Sequence, residues 1–174
     1  MTECEIIFSR DEIAARVREL GRMISADYAG RPLVLIGILN GAFIFLADLV
    51  REISLDIEVD FLRVASYGAS TDSSGTVRLS KDIELDIRGK DVLLVEDIID
   101  TGRTMAVLQK MLGARKAASV RSCVLIDKRE RREKDVVADY AGFVCQEGFL
   151  VGYGLDHAEQ HRQHPEIRRI VQGV

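Results

Sequence analysis

An apolar run that stops abruptly at charge constrains this chain most. Val92-Leu93-Leu94-Val95 leads into Glu96-Asp97, two apolar residues follow, and Asp100-Thr101-Gly102-Arg103-Thr104 opens a short turn. Behind the turn, Met105 to Leu112 is apolar at roughly helical spacing. A strand buried on both faces reads as such a continuous run, and parallel sheets are built from strands of that kind. Open α/β sheets bind ligands just beyond the carboxyl ends of these strands. A turn entering a helix there presents successive backbone N–H groups, a natural seat for an anion. Three carboxylates beside a phosphate-sized cradle suit a substrate that carries phosphate, a divalent metal and hydroxyl groups together. The pattern is that of an enzyme site.

The rest of the chain supplies partners for that strand. Ser9-Arg10-Asp11-Glu12 has the form of a capping box, with Ile13, Val17, Leu20 and Ile24 as one stripe behind it. This predicts a first helix closing near Gly30. Leu33 to Ile38 reads as a strand, Asn40-Gly41 as a turn, and Ala42 to about Arg51 as an apolar helix. Ile57, Val59 and Phe61 alternate with Glu58 and Asp60, the pattern of a half-buried strand. Residues 66–76 are rich in Ser, Gly, Thr and Asp with almost no apolar anchor, which predicts a mobile loop. Val120 to Ile126 and Tyr140 to Cys145 read as further strands. Strands alternating with helices imply an α/β fold, mainly a parallel sheet flanked by helices. No linker or repeat divides the chain. Residues 1–174 are therefore expected to form one domain, with a core at about 33–145 and a small hood from the ends, 1–32 and 146–174.

Charge and cysteine usage narrow the partners. Lys and Arg total 24 against 28 Asp and Glu, a net charge of -4, which gives no reason to expect nucleic acid as the main partner. The longest apolar stretches are strand-sized or amphipathic, so no membrane span is expected. Cys4, Cys123 and Cys145 are scattered, odd in number and without metal-ligand spacing. That suits reduced thiols in a cytoplasmic protein. The polar, acidic N-terminus lacks a signal-peptide core.

Carboxylates at a strand end have specific uses. Glu96 and Asp97 succeed one another where a strand becomes a loop, and alternation would direct them to different sides. Sugar hydroxyls and the hydration shell of Mg²⁺ are natural partners, because Mg²⁺ takes few carboxylates and keeps waters. Asp100 begins the turn and would face the same pocket. A carboxylate beside a bound base can accept its proton as the base becomes a nucleophile. Thr101, Gly102 and Thr104 offer small side chains, hydroxyls and close backbone approach. A solvated acidic loop would account for any one of these acids; the combined order is far harder to obtain that way.

The segment resembles the phosphoribosyl-diphosphate (PRPP) motif of type I phosphoribosyltransferases. Ile98-Ile99-Asp100 gives it the form found in hypoxanthine(-guanine) phosphoribosyltransferases, and the similarity extends from Leu33 to Arg162. The resemblance implies a parallel sheet flanked by helices, with a hood over the base. It implies purine salvage: PRPP and a 6-oxopurine base, hypoxanthine or guanine, give the nucleoside monophosphate and diphosphate, with Mg²⁺ as cofactor. By matching positions, Asp100 is the general base near N7 of the purine. Glu96 and Asp97 approach the ribose hydroxyls, directly or through metal-bound water. The turn from Asp100 to Thr104 holds the 5′-phosphate largely by backbone N–H groups, so Arg103, where many relatives have Lys, need not disturb it. Lys128 matches the lysine that donates to the purine O6. An ammonium has donors only, so it favours a 6-oxopurine and opposes adenine. Lys128 heads a charge run reaching Lys134, and the rest of that run is expected at the surface.

The same resemblance assigns the C-terminal part. Phe149, which alone would be placed in a core, matches the aromatic stacked on the purine, with Leu150 supplying backbone groups to its far edge. Asp156 matches a ligand of a second Mg²⁺. Arg162 matches the arginine that meets the leaving diphosphate, a task for which its planar fork is suited. Ser66 and Tyr67 match the family's flexible catalytic loop, whose closure would exclude water. His157, His161 and His164 lack a third ligand type at zinc spacing and are expected at the surface.

One position departs from the family pattern. The usual Leu-Lys-Gly before the second helix is Leu39-Asn40-Gly41 here. That loop contacts the diphosphate and often contains a non-proline cis peptide in relatives; its N–H groups remain, but the ammonium is missing. The resemblance further implies a homodimer or homotetramer. Two other readings stay open. Asp100 and Lys128 discriminate poorly among 6-oxopurines, so a xanthine-preferring enzyme is one. The other is a PRPP- or nucleotide-sensing regulatory protein of the same fold, which would usually carry a basic surface or an added segment.

Overall fold

Alternating apolar runs and capped amphipathic stretches set the order of elements. The computed structural model describes residues 4–65 and 77–171, so Ser66 and Tyr67 lie outside the described residues. The chain runs β1 (Cys4–Phe8), α1 (Arg10–Asp27), β2 (Leu33–Leu39), α2 (Phe43–Glu52), β3 (Ile57–Val64), β4 (Leu79–Lys81), β5 (Asp91–Ile99), α3 (Arg103–Gly113), β6 (Ser119–Lys128), β7 (Tyr140–Cys145), β8 (Leu150–Val151) and β9 (Ile167–Ile170). The main sheet has the order β4-β3-β2-β5-β6-β7. Its strands are parallel from β3 to β7, and only β4 pairs antiparallel.

Residue alternation explains why β5 reads as continuously apolar. Leu93 and Val95 join Leu33, Leu35, Cys123 and Leu125 under α1 and α2. Val92 and Leu94 join Val34, Ile36 and Val124 under Met105, Leu108 and Leu112 of α3. Both faces are covered, so neither set can be polar. Burial of each such side chain contributes about 1.5–3 kcal/mol.

The predicted capping box is present at α1. Ser9 Oγ accepts from the Glu12 N–H at 3.3 Å, and the Glu12 carboxylate accepts from the Ser9 N–H at 2.8 Å. Ile13, Val17, Leu20 and Ile24 are all buried. Gly21 lets α1 approach α2 closely, since a Cβ there would lie 2.6 Å from the Glu52 carbonyl oxygen. Of the N-terminal segment, only β1 enters the second, smaller sheet, of order β1-β9-β8. α1 packs instead against α2 and β7. Leu150, Tyr153, Leu155 and Ile167 reach from the small sheet and its connection into the α1–α2 core.

Strand β3 inverts part of the predicted alternation. Val59 is 40% exposed, whereas Asp60 and Leu62 are buried. The cause is distant in sequence: β4 and the following segment fold over the Asp60 face, bringing Ile83, Leu85 and Ile87 against Leu62. Asp60 is held there by the N–H groups of Phe61, Glu84 and Leu85 at 2.7, 2.6 and 2.9 Å. Among the described residues, no helix is long and apolar enough to cross a membrane.

Candidate active site

Parallel strands deliver their carboxyl ends to one edge of the sheet, where Leu39–Gly41, Glu96, Asp97, Asp100 and Lys128 stand. Pairing of β2 with β5 ends at Gly37 opposite Val95. On that side the last residues of β5 meet the turn after β2, while β6 still pairs with them as far as Ile99. In that turn the Leu39–Asn40 peptide is cis. Gly41 lies against Asp97 so closely that a Cβ would sit 1.9 Å from Oδ2. Gly154, at φ +101°, in turn backs onto Gly41, where a Cβ would meet the Gly41 carbonyl oxygen at 2.2 Å. These two glycines bring Leu39–Asn40–Gly41, Asp97 and the segment carrying Arg162 together. Nothing in the local pattern marked Gly154 for this contact, because its partner is more than a hundred residues away.

Glu96 and Asp97 do not part to separate sides as alternation predicts. Glu96 folds back so that Oε1 accepts the Asp97 N–H at 3.3 Å, and the two carboxyl groups interact directly. Burial, and then the Asp97 carboxylate, push Glu96 well above the usual carboxylate range. Burial also raises Asp97, opposed by hydrogen bonds from Glu96 and the Ile98 N–H and by the positive charge of Arg162. A half-buried and a buried carboxyl group in direct contact, with the Glu96 pKa raised, form a site where a cation can take the place of the retained proton.

The turn after β5 has the geometry of an anion seat. Gly102 takes φ +80°, a conformation that glycine adopts without steric cost, and α3 starts at the next residue. The first N–H groups of a helix have no intrahelical acceptor and point outward along its axis. Glu96, Ile98, Ile99, Asp100, Thr101, Gly102, Thr104 and Met105 line a cavity of about 200 Å³. Asp100 Oδ1 is buried without a hydrogen-bond partner among the described residues. Its Oδ2 lies 3.5 Å from the exposed Arg131 guanidinium. Arg103 is mostly exposed and pairs with Glu133. A larger cavity, about 740 Å³, opens between α1, α2 and residues 163–165, and none of the predicted site residues lines it.

The predicted base-binding residues stand on the next elements. Ile99 is opposite Asp127 in the ladder, which sets Asp100 beside Lys128. Lys128 closes β6 as a largely buried ammonium, 3.4 Å from Glu130 Oε2. Phe149 is 51% exposed rather than part of the core. Its backbone carbonyl accepts the Ile170 N–H at 2.9 Å, and its ring meets His157 edge to face at 5.1 Å. Leu150, the first residue of β8, is buried. Arg162 is turned onto its own loop, 3.1 Å from Asp156 and 2.9 Å from Glu159, and donates to the Gly154 carbonyl at 2.7 Å. His161 and His164 approach each other at 3.4 Å, and no cluster of three metal-ligating side chains occurs among the described residues.

The charge run after Lys128 is not uniform. Arg129, Glu130, Arg131, Glu133 and Lys134 are exposed as predicted. Arg132 corrects that expectation: its side chain is 18% exposed and reaches back to buried Asp127. A run of alternating charge carries no mark of the member that turns inward; only the loop geometry selects it.

Known proteins place the chain. The family model for the phosphoribosyl transferase domain matches residues 4–158. The chain is 44% identical over 169 residues to the hypoxanthine phosphoribosyltransferase of Salmonella typhimurium, covering 96% of this chain and 95% of that protein. It is 46% identical over 164 residues to the hypoxanthine-guanine phosphoribosyltransferase of Aquifex aeolicus, covering 94% and 92%. The crystal structure of a hypoxanthine-guanine phosphoribosyltransferase from Bacillus anthracis matches with a TM-score of 0.91 at 40% identity, over 98% of this chain and 99% of that one. The chain belongs to the phosphoribosyltransferase family.

Proposed function

We infer that this protein is a purine-salvage transferase, moving the 5-phosphoribosyl group from PRPP to N9 of hypoxanthine, guanine or both. The products are IMP or GMP and diphosphate. One observation carries the reading. Asp100, whose buried Oδ1 has no hydrogen-bond partner among the described residues, lines a small cavity at the N-terminus of α3, in a chain 44% identical to a hypoxanthine phosphoribosyltransferase over nearly its whole length.

The roles follow from chemistry at the strand ends. The 5′-phosphate is held by the N–H groups of Thr101, Gly102, Arg103 and Thr104, assisted by hydroxyls. Leu39, Asn40 and Gly41 contact the diphosphate, which Arg162 engages after leaving its intraloop partners. Phe149 stacks on the purine, Leu150 meets its far edge through the backbone, and Lys128 donates to O6. The C1′–O bond breaks ahead of full attack by N9, so the sugar passes through an oxocarbenium-like state. Asp100 takes the N7 proton, which strengthens N9 as the nucleophile. Glu96 and Asp97 orient the ribose hydroxyls.

The donor set fits Mg²⁺, since hard carboxylate oxygens are offered in small number by Glu96, Asp97 and Asp156. The first two would act directly or through water, and their direct contact favours a cation nearby. Held by these residues together with PRPP, Mg²⁺ would supply charge neutralisation for the diphosphate. The protein works as one phosphoribosyltransferase domain in the cytoplasm, as a homodimer or homotetramer. Cys123 and Cys145 are free thiols, in keeping with a reducing compartment.

A steady-state assay with PRPP and Mg²⁺ against hypoxanthine, guanine, xanthine, adenine and uracil tests the reading. Turnover of hypoxanthine or guanine, without adenine or uracil, is the expected result. Preference for xanthine would move the assignment to a different 6-oxopurine. Nucleotide binding without turnover of any base would replace the enzyme with a regulatory protein.

A further inference from the structure

We propose that Arg132 is the positioning residue that holds the general base and the purine-reading lysine in one frame. The proposal rests on the roles given above to Asp100 and Lys128. Its observation is a single guanidinium bonded to the ends of both strands. Arg132 Nε donates to the Asp100 carbonyl at 3.0 Å. Nη2 donates to the Lys128 carbonyl at 3.0 Å, to the Ile99 carbonyl at 3.4 Å and to the Asp127 carboxylate. Nη1 donates to the Val136 carbonyl, which anchors the far side of the loop.

The need for such a brace follows from the sheet. The β5–β6 ladder ends at Ile99 opposite Asp127, one residue short of both functional side chains. Beyond that pair no strand hydrogen bond fixes Asp100 relative to Lys128, and Arg132 supplies the missing cross-link. The same side chain also supports the phosphate turn. A Cβ on Gly102 would lie 3.2 Å from Arg132 Cδ, and the Thr101 carbonyl accepts the Glu133 and Lys134 N–H groups at 2.9 and 3.1 Å. Asp127 is 4% exposed at its side chain, so its bond to Arg132 is largely shielded from water and directional. Arg129 also pairs with Asp127, at 3.1 Å, but is 57% exposed and makes no side-chain bond to Ile99, Asp100 or Lys128.

A planar fork with donors on three sides satisfies these acceptors; an ammonium concentrates its donors at one point. Lysine therefore cannot replace Arg132, although it keeps the charge. Misplacing a catalytic group by about 1 Å costs on the order of 100-fold in rate. Arg132 does not perform chemistry: it acts through Asp100 and Lys128.

The test compares Arg132→Gln, Arg132→Lys, Arg132→Ala, Arg129→Gln and Asp100→Asn with the unmodified protein. Rates with hypoxanthine and adenine are measured per folded molecule, with folding checked by a cooperative melt. For both Arg132→Gln and Arg132→Lys, kcat with hypoxanthine should fall roughly 100-fold. The loss should persist at saturating PRPP, and the preference for hypoxanthine over adenine should narrow. Millimolar guanidinium should restore part of the rate in Arg132→Ala, and Arg129→Gln should turn over normally. Normal kcat in Arg132→Gln or Arg132→Lys overturns the proposal. So does a loss explained wholly by unfolded protein, or an equal loss in Arg129→Gln. If Asp100→Asn is inactive while Arg132→Gln is normal, only the role of Arg132 fails. If Asp100→Asn keeps full activity, the general-base reading fails instead.

Discussion

Replacing Gly41 by alanine probes the closest approach in the site. The added Cβ would lie 1.9 Å from Asp97 Oδ2, 2.5 Å from Cγ and 3.0 Å from Oδ1. Real Cβ atoms essentially never come within 3.0 Å, so about 1.1 Å of movement is required, the difference between 3.0 and 1.9. Neither side can yield freely. Asp97 is 8% exposed and bonded to the Ile98 N–H at 2.9 Å, and Gly154 packs behind the Gly41 carbonyl. The displacement must pass into the Leu39–Gly41 loop or the Asp97 carboxylate, both of which we propose to contact PRPP. A shift of about 1 Å costs on the order of 100-fold, or about 2.7 kcal/mol in the barrier. Overpacking should also cost about 1–3 kcal/mol of stability, at about 2–4 °C in Tm per kcal/mol for a domain of this size. Steady-state kinetics with varied PRPP should then show kcat/KM reduced about 100-fold in molecules that still melt cooperatively. Gly113→Ala is the control, because no heavy atom lies within 4 Å of its added Cβ. It should leave kinetics unchanged and gain about 0.5–1 kcal/mol from helix propensity. Kinetics of Gly41→Ala matching those of the unmodified protein would refute the reasoning.

Other substitutions separate chemistry, binding and stability. Asp100→Ala should slow the chemical step by roughly 100- to 10,000-fold, the range for general-base removal, while PRPP binding by calorimetry changes far less. Asn40→Lys, restoring the family's ammonium, should lower the KM for PRPP; an unchanged value would remove Asn40 as a determinant of diphosphate affinity. Asp60→Ala strands the N–H groups of Phe61, Glu84 and Leu85 and should cost roughly 3 kcal/mol in urea denaturation. Burial would raise the Asp60 pKa, but those N–H groups and Lys81 outweigh it and lower the pKa below its ordinary value. The folded state then holds its proton less tightly than the unfolded chain. The stability from Asp60 is full above its unfolded pKa of about 3.9 and is lost as pH falls through the lower folded value. Asp60→Asn should flatten that part of the acid-unfolding curve, and an identical pH slope would refute the linkage.

Local sequence determined the elements whose cause is local. The Ser9–Glu12 box and the stripe behind it specify α1 because a cap and a 3.6-residue period are properties of adjacent residues. The apolar run ending at Glu96 specifies β5 because a strand covered on both faces must be apolar throughout. The order Asp100-Thr101-Gly102 before a helix specifies the turn into α3 for the same reason. Tertiary structure alone decided which way several polar groups face. Asp60 is buried and Val59 exposed because β4 folds over one side of β3. Glu96 and Asp97 meet where β2 no longer pairs with β5, although β6 still does. Gly41, Asp97 and Gly154 converge, and Arg132 leaves its charged run to brace two strand ends, through contacts between segments remote along the chain. Periodicity records how much of a face is buried; it carries no record of which distant segment does the burying, and that contact sets the geometry of the site.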